Sequence, residues 1–184
     1  MLKDDKINLI GRSSEIGENF KIGYRNFIGQ NVTIGKNVTM GDYNIIKDNV
    51  TIGDNTKIEN FVLLKSGTVI GDNCYVDSYV KSSGDNTIGN RVTLRFNATI
   101  ARLVVIEDDV FISPNVMTIY VKHTGEHSKG TLIKSRSFLG TNAVIGPDVV
   151  VGEDVIIGAQ AYVSKSCLDP GTYVGVPAIL LRKG

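Results

Sequence analysis

Two histidines stand in the 184 residues, His123 and His127, four positions apart, with Glu126 beside the second. An imidazole changes charge near neutral pH, so each is a candidate general base for a reaction in which an attacking hydroxyl or amine sheds a proton. His123 is the first candidate and His127 the runner-up; either can equally be a solvated loop residue. Glu126 and Glu107 are candidates to orient an imidazole, and Glu126 also to contact an acceptor. Asn97 reads either as a turn residue or as a hydrogen-bond partner for a bound acceptor. Arg95 points outward, as a solvated charge or as a phosphate ligand. Cys74 and Cys167 lack the spacing of a disulfide framework or a metal site and read as small buried hydrophobes. Ser82 has no catalytic partner motif and reads as a bonded, inward hydroxyl at a distorted corner.

The elements that must position these residues follow a six-residue period. Every sixth residue from Ile16 to Ile112 is Ile, Leu, Val or Met, with Ser82 the single exception among seventeen. The 42% hydrophobic composition alone would fill about seven of those places. The second position of the hexad is Gly in eight copies, the fourth is often Asn or Asp, and the fifth is small or Val. First and fifth positions are therefore expected to point inward. Gly, Asn and Asp are expected at corners, where they tolerate positive φ. β-Branched residues suit the flat faces between corners. Three hexads close a triangular coil of eighteen residues, so Ile16, Ile34, Ile52, Ile70, Ile88 and Ile106 should stack on one edge. The expected fold is all-β: a parallel β-helix whose short faces are stable only when stacked on neighbouring coils.

The register stops near Met117 and resumes at Leu139, twenty-seven residues after Ile112 and so not a multiple of six. The reading is one domain over 1–184, with repeats at 16–117 and 139–168, one long excursion loop at 118–138 and a short C-terminal tail at 169–184. Long loops in regular solenoids are usually functional, and this one carries both histidines.

A net charge of +1, with 21% charged residues, leaves no electrostatic footprint for nucleic acid. Apolar runs such as Phe61–Leu64 are too short to cross a bilayer, and the first residues lack the layout of a signal peptide. The expectation is a cytoplasmic protein without nucleic-acid or membrane partners.

Three stretches go beyond the bare repeat: Ile106–Val116 (IEDDVFISPNV) followed by His123; Leu139–Gly146 (LGTNAVIG); and Ile157–Lys165 (IGAQAYVSK) with Gly175–Ala178 (GVPA). With them the chain resembles, from about Ile16 to Ala178, the hexapeptide-repeat acyltransferases, of the sugar acetyltransferase type. That resemblance implies a left-handed β-helix, against the usual right-handed crossover. It implies acetyl-CoA as co-substrate, no metal, and a homotrimer with active sites between subunits. It aligns His123 with the catalytic histidine and points to Gly140, Thr141, Gly158, Ala159, Ser164 and Lys165 for coenzyme A, with Arg182 or Lys183 as a phosphate contact. The early start of the repeats is similar to that of enzymes acting on nucleotide-linked amino sugars. Where the galactoside type has an additional Asn two residues before Asn97, this chain has Arg95.

The function so implied is transfer of an acetyl group from acetyl-CoA to a sugar amine or hydroxyl, on a nucleotide-linked amino sugar, by direct general-base-assisted attack on the thioester. A free sugar or serine-like O-acetyl acceptor is the alternative within the class. A non-catalytic structural or binding β-helix is the alternative outside it. A three-histidine metalloenzyme of this fold does not match two histidines close together. A regulatory domain of a nucleotidyltransferase would be expected to follow a Gly-rich nucleotide domain.

Overall fold

The computed structural model describes residues 7–183, and every regular element among them is a β-strand, most of two residues. The strands lie in three sheets of nine, eight and ten, which form the three faces of one coil. Pairing is parallel and runs in steps of eighteen residues, as in Ile16 with Ile34 and Leu64 with Ser82. The first face holds strands such as Phe27–Ile28 and Thr99–Ile100. The second holds Thr33–Ile34 and Val105–Ile106, and the third Thr39–Met40 and Phe111–Ile112. The hexad is the cause: its sixth residue faces solvent while its first and fifth fill the interior. Ile34, Val50, Ile52, Leu64, Val80 and Ile100 are all at most 2% exposed. Burial of each such side chain contributes about 1.5–3 kcal/mol.

Coiling begins one hexad earlier than the expected start, because Leu9–Ile10 already pairs with Phe27–Ile28.

The corners divide their labour differently from the expectation. Positive φ falls on the fourth position, with Asn31, Asn37, Asn49 and Asn55 between 53° and 59°. Their side chains also bond coil to coil, as in Asn19 Nδ2 to Asn37 Oδ1 and Asn37 Nδ2 to Asn55 Oδ1, each 3.0 Å. The second-position glycines are not in that region. They are glycine because the next coil passes too close: a Cβ on Gly29 would lie 2.2 Å from Asp48 Oδ1, and one on Gly35 2.3 Å from Asp54 Oδ1. Those carboxylates accept the third-position amides of the preceding coil, Gln30 N–H at 2.8 Å and Lys36 N–H at 2.7 Å. Gly is thus required by contact and Asn by conformation. Tyr43, Phe61 and Tyr79 also take positive φ, at 57°, 59° and 64°. Stacking of their rings at 5.2 and 5.0 Å offsets what the backbone conformation costs.

The excursion is shorter than the expected 118–138. Met117–Thr118 still belongs to the first face and Leu132–Ile133 to the second, where it pairs with Val105–Ile106. The step across the break is twenty-seven residues instead of eighteen, so nine residues are inserted between Thr118 and Leu132. Ile133 occupies a first position and is fully buried. The flanking Thr131 and Lys134 hide it from a pattern built on Val and Gly. The tail is also regular: Gly171–Val174 joins the third face in parallel, and Ile179–Lys183 returns antiparallel to it.

Candidate functional site

The excursion leaves the corner between the first and second faces and folds as a small hairpin. Val121 and His127 form an antiparallel bridge, and Lys122 N–H donates to Glu126 O at 2.8 Å. Gly125 N–H donates to Lys122 O at 2.9 Å, closing a four-residue turn in which Gly125 takes φ 84°. His123 follows Lys122 in that turn and is exposed. His127 lies on the return strand with its ring stacked on Tyr120, centroids 5.0 Å apart.

One residue outside the excursion holds it in place. Asp148, at the matching corner of the next coil, lies 2.6 Å from Lys122 Nζ. It also accepts from Ser128 Oγ at 2.8 Å and from the Lys129 amide at 2.6 Å. Those contacts, Lys122 foremost, hold the Asp148 carboxyl well below the usual carboxylate range. Nothing in the hexad marks Asp148, because its fourth position is the ordinary place for a corner Asp.

The hairpin and the following two coils border an open cavity of about 530 Å³ lined by Ile119, Val121, Lys122, His123, Pro147, Tyr162 and Ser164. It therefore joins His123 to Ser164, forty-one residues later in the chain. Tyr162 is held from below by the tail: its amide donates to Gly175 O at 3.0 Å, and its carbonyl accepts from Ala178 N–H at 2.7 Å. The cavity thus gathers an imidazole and two hydroxyl groups, those of His123, Tyr162 and Ser164.

The other candidate residues are dispersed. Asn97 and Arg95 sit at the opposite corner of the first face and do not line the cavity. Asn97 is a turn residue, with φ 58°; it donates to Asn115 Oδ1 at 3.0 Å and accepts from Lys81 Nζ at 2.6 Å. Arg95 lies 3.4 Å from Asp77 and 5.8 Å from the Tyr75 ring centroid. Glu107 does not orient an imidazole: its Oε2 accepts from the Ser135 amide and hydroxyl at 3.0 and 3.1 Å, at another corner. Glu126 is exposed, 3.8 Å from Lys122 Nζ. Lys165 follows Ser164 on an exposed corner. Arg182 pairs with Thr172, at the end of the tail hairpin away from its turn.

At the corner leading into the lower first face, Gly140 and Gly158 are glycine for contact. A Cβ on Gly140 would lie 2.6 Å from Ala159 N, and one on Gly158 2.8 Å from Val174 Cγ1. Their amides already donate to Ile157 O and Tyr173 O at 2.8 Å, so neither is left to bind a ligand. The amides of Thr141 and Ala159 differ. No Asp or Asn of the next coil caps them, and both exposed residues keep an N–H without a protein acceptor among the described residues.

Ser82, Cys74 and Cys167 are structural. Ser82 Oγ lies 2.5 Å from both Thr68 Oγ1 and Asn86 Oδ1, in a buried chain of polar groups. Both thiols are buried, and burial pushes Cys167 up to about 11.

A family model described as GMPPB C-terminal domain matches residues 6–124, and a second, bacterial transferase hexapeptide (six repeats), matches 130–165. Comparison with the curated proteins finds no match. Among solved structures, the chain is similar to LpxA from Acinetobacter baumannii, at 19% identity over 96% of this chain and 72% of that one, with a TM-score of 0.82. The UDP-N-acetylglucosamine O-acyltransferase (LpxA) of Moraxella catarrhalis gives 20% identity, the same two coverages and a TM-score of 0.82. A serine acetyltransferase in complex with cysteine gives 25% identity over 57% of this chain and 41% of that one, with a TM-score of 0.50. The likeness to the two LpxA structures is one of fold.

Proposed function

We propose that this chain, which belongs to the GMPPB C-terminal domain family of hexapeptide-repeat left-handed β-helix proteins, is an acetyl-CoA-dependent acetyltransferase acting on the amine or hydroxyl of a sugar, in particular a nucleotide-linked amino sugar. The observation that carries this reading is the single cavity shared by His123 on the hairpin and by Tyr162 and Ser164 on a later coil. In the reaction, the acceptor attacks the thioester carbonyl while His123 takes its proton. The tetrahedral oxyanion is met by a hydroxyl such as that of Tyr162 or Ser164. Its collapse breaks the C–S bond, and the imidazolium returns the proton to the departing thiolate, leaving the acetylated sugar and free coenzyme A. No covalent enzyme intermediate and no metal enters. The unpaired amides of Thr141 and Ala159 suit the pantetheine carbonyls of the coenzyme.

We further propose a homotrimer with active sites between subunits. Its support is exposed apolar residues stacked on adjacent strands, Phe27 with Ile45 on the first face and Phe138 with Ile156 on the third. A cytoplasmic location accords with two buried, unpaired thiols. Among the described residues no helix is long and apolar enough to cross a membrane.

A second reading, a non-catalytic binding β-helix, is favoured by one observation. The GMPPB C-terminal domain match ends at residue 124, before Pro147, Tyr162 and Ser164 of the cavity. A thiol-release assay with acetyl-CoA separates the two. Turnover with nucleotide-linked amino sugars above free sugars supports the acetyltransferase. Stabilisation by a nucleotide sugar without thiol release against any acceptor supports the binding module. A monomer by light scattering overturns the trimer.

A further inference from the structure

We propose that a second cavity, on the same edge of the coil along the four turns that precede the hairpin, is an anion site that takes the phosphate groups of a diphosphate-bearing small molecule. Its volume is about 470 Å³, and Lys47, Lys65, Ser66, Ser83 and Arg102 are among its lining residues. It shares no residue with the His123 cavity, and its own lining carries the inference whether or not the acetyltransferase reading holds.

The hexad pattern is broken here in three linked ways. The second position, glycine in eight of the seventeen hexads, is lysine in only two, Lys47 and Lys65, and the two lie in successive coils. A side chain fits because the next coil brings no Asp or Asn over them, but Ser66 over Lys47 and Gly84 over Lys65. Gly84 takes φ 97°, and a Cβ on it would lie 2.7 Å from Ser66 O. The loss of that Asp or Asn also removes an acceptor. The amides of Gln30, Lys36 and Asp42 donate to a side-chain oxygen one coil on, at 2.7–2.8 Å. The amide of Ser66, an exposed residue, donates to no protein acceptor among the described residues. An oxygen from a bound anion can take the place of the missing carboxylate.

The charges agree. Leu64 pairs with Ile46, so Lys65 stacks directly on Lys47, about 4.8 Å away at the backbone. Neither ammonium has a carboxylate within ion-pair distance among the described residues, and Lys47 Nζ instead lies 5.1 Å from the Phe27 ring centroid. Like charges stacked on adjacent strands repel unless a counter-charge intervenes. Asp85, the one acidic residue lining the cavity, is paired with Arg102 and leaves both lysines uncompensated. Two cations one strand apart match two linked phosphates better than one.

The floor of the cavity is held rigid from inside. Thr68, Ser82 and Asn86 form a buried chain, and Gly84 N–H donates to Ser82 Oγ at 3.2 Å and to Asn86 Oδ1 at 3.1 Å. Asn86 Nδ2 in turn donates to Ala101 O. The aliphatic column is interrupted at Ser82 where this turn must be fixed, which ties the polar core residue to the surface above it.

Calorimetric titration of the whole protein with inorganic pyrophosphate tests the proposal. Binding is expected, weakening with added salt and falling about tenfold or more in each of Lys47→Gln and Lys65→Gln. Both residues are exposed, so a thermal melt will show the variants folded. His123→Ala should bind pyrophosphate as the parent does, which separates this site from the acetyltransferase reading. Competition by a nucleoside diphosphate or by coenzyme A identifies the source of the diphosphate, and displacement by either supports the site. No binding of pyrophosphate, or binding unchanged in the double variant, overturns it. Equal affinity for orthophosphate overturns the assignment to a diphosphate.

Discussion

Lys122 Nζ lies 2.6 Å from Asp148 Oδ2, and this pair fastens the hairpin that carries His123 to a corner of the next coil. The Ser128 hydroxyl and the Lys129 amide converge on the same carboxylate, so one side chain organises both ends of the excursion.

Asp148 is therefore a positioning residue, and its ionisation should be visible. Its folded pKa lies below the ordinary value, so the contribution of the carboxylate is full above the unfolded pKa, about 3.9, and is lost as the pH falls below it toward the folded one. Melting temperatures of the parent and Asp148→Asn should differ at neutral pH and converge in strong acid. If the hairpin positions His123, the same variant lowers kcat for acetyl transfer more than it raises KM. A constant temperature gap down to the lowest pH would remove Asp148 as the anchor.

His123→Ala should lower acetyl transfer by about two orders of magnitude or more with the melting temperature unchanged. His127→Ala removes a ring stacked on Tyr120 and should change the rate far less. The reverse ranking in a steady-state assay would transfer the base role to His127.

The two kinds of corner residue should be intolerant of alanine for different reasons. A Cβ on Gly71 would meet Asn90 Oδ1 at 2.6 Å and Gly89 backbone at 2.7 Å, so Gly71→Ala should cost about 1–3 kcal/mol in denaturant unfolding. Asn73 has φ 57°. Asn73→Ala should cost roughly 1–2 kcal/mol, and Asn73→Gly less, because only the former places a Cβ in the left-handed region. Gly71→Ala as stable as the parent would show that the coils can separate to admit a methyl group.

Ser82→Ile restores the aliphatic register and should nevertheless destabilise the fold. It removes a partner of Thr68 and Asn86 inside the core. An unsatisfied buried polar group costs about 1–3 kcal/mol, and the larger side chain adds strain. A variant more stable than the parent would show that the polar chain is not required for the turn at Gly84.

What the sequence determined by itself is the coil. The hexad is a local code in which first and fifth positions fill the interior, and Ile34, Val50 and Ile100 obey it because burial dominates at those places. The location of the interruption was legible for the same reason, as was the bonded inward role of Ser82. Tertiary structure decided what depends on contact between residues eighteen or more apart. A glycine kept small by a neighbouring carboxylate and an asparagine chosen for positive φ look alike in a repeat, and only the stacking of coils separates Gly29 from Asn31. The loop shrank from its sequence bounds because Ile133 is inward in space while its neighbours Thr131 and Lys134 disguise it. Which amides remain open, those of Thr141, Ala159 and Ser66, is set by the residue one coil away. The anchor of His123 is set by Asp148, twenty-five residues on, through an ion pair that no periodicity encodes.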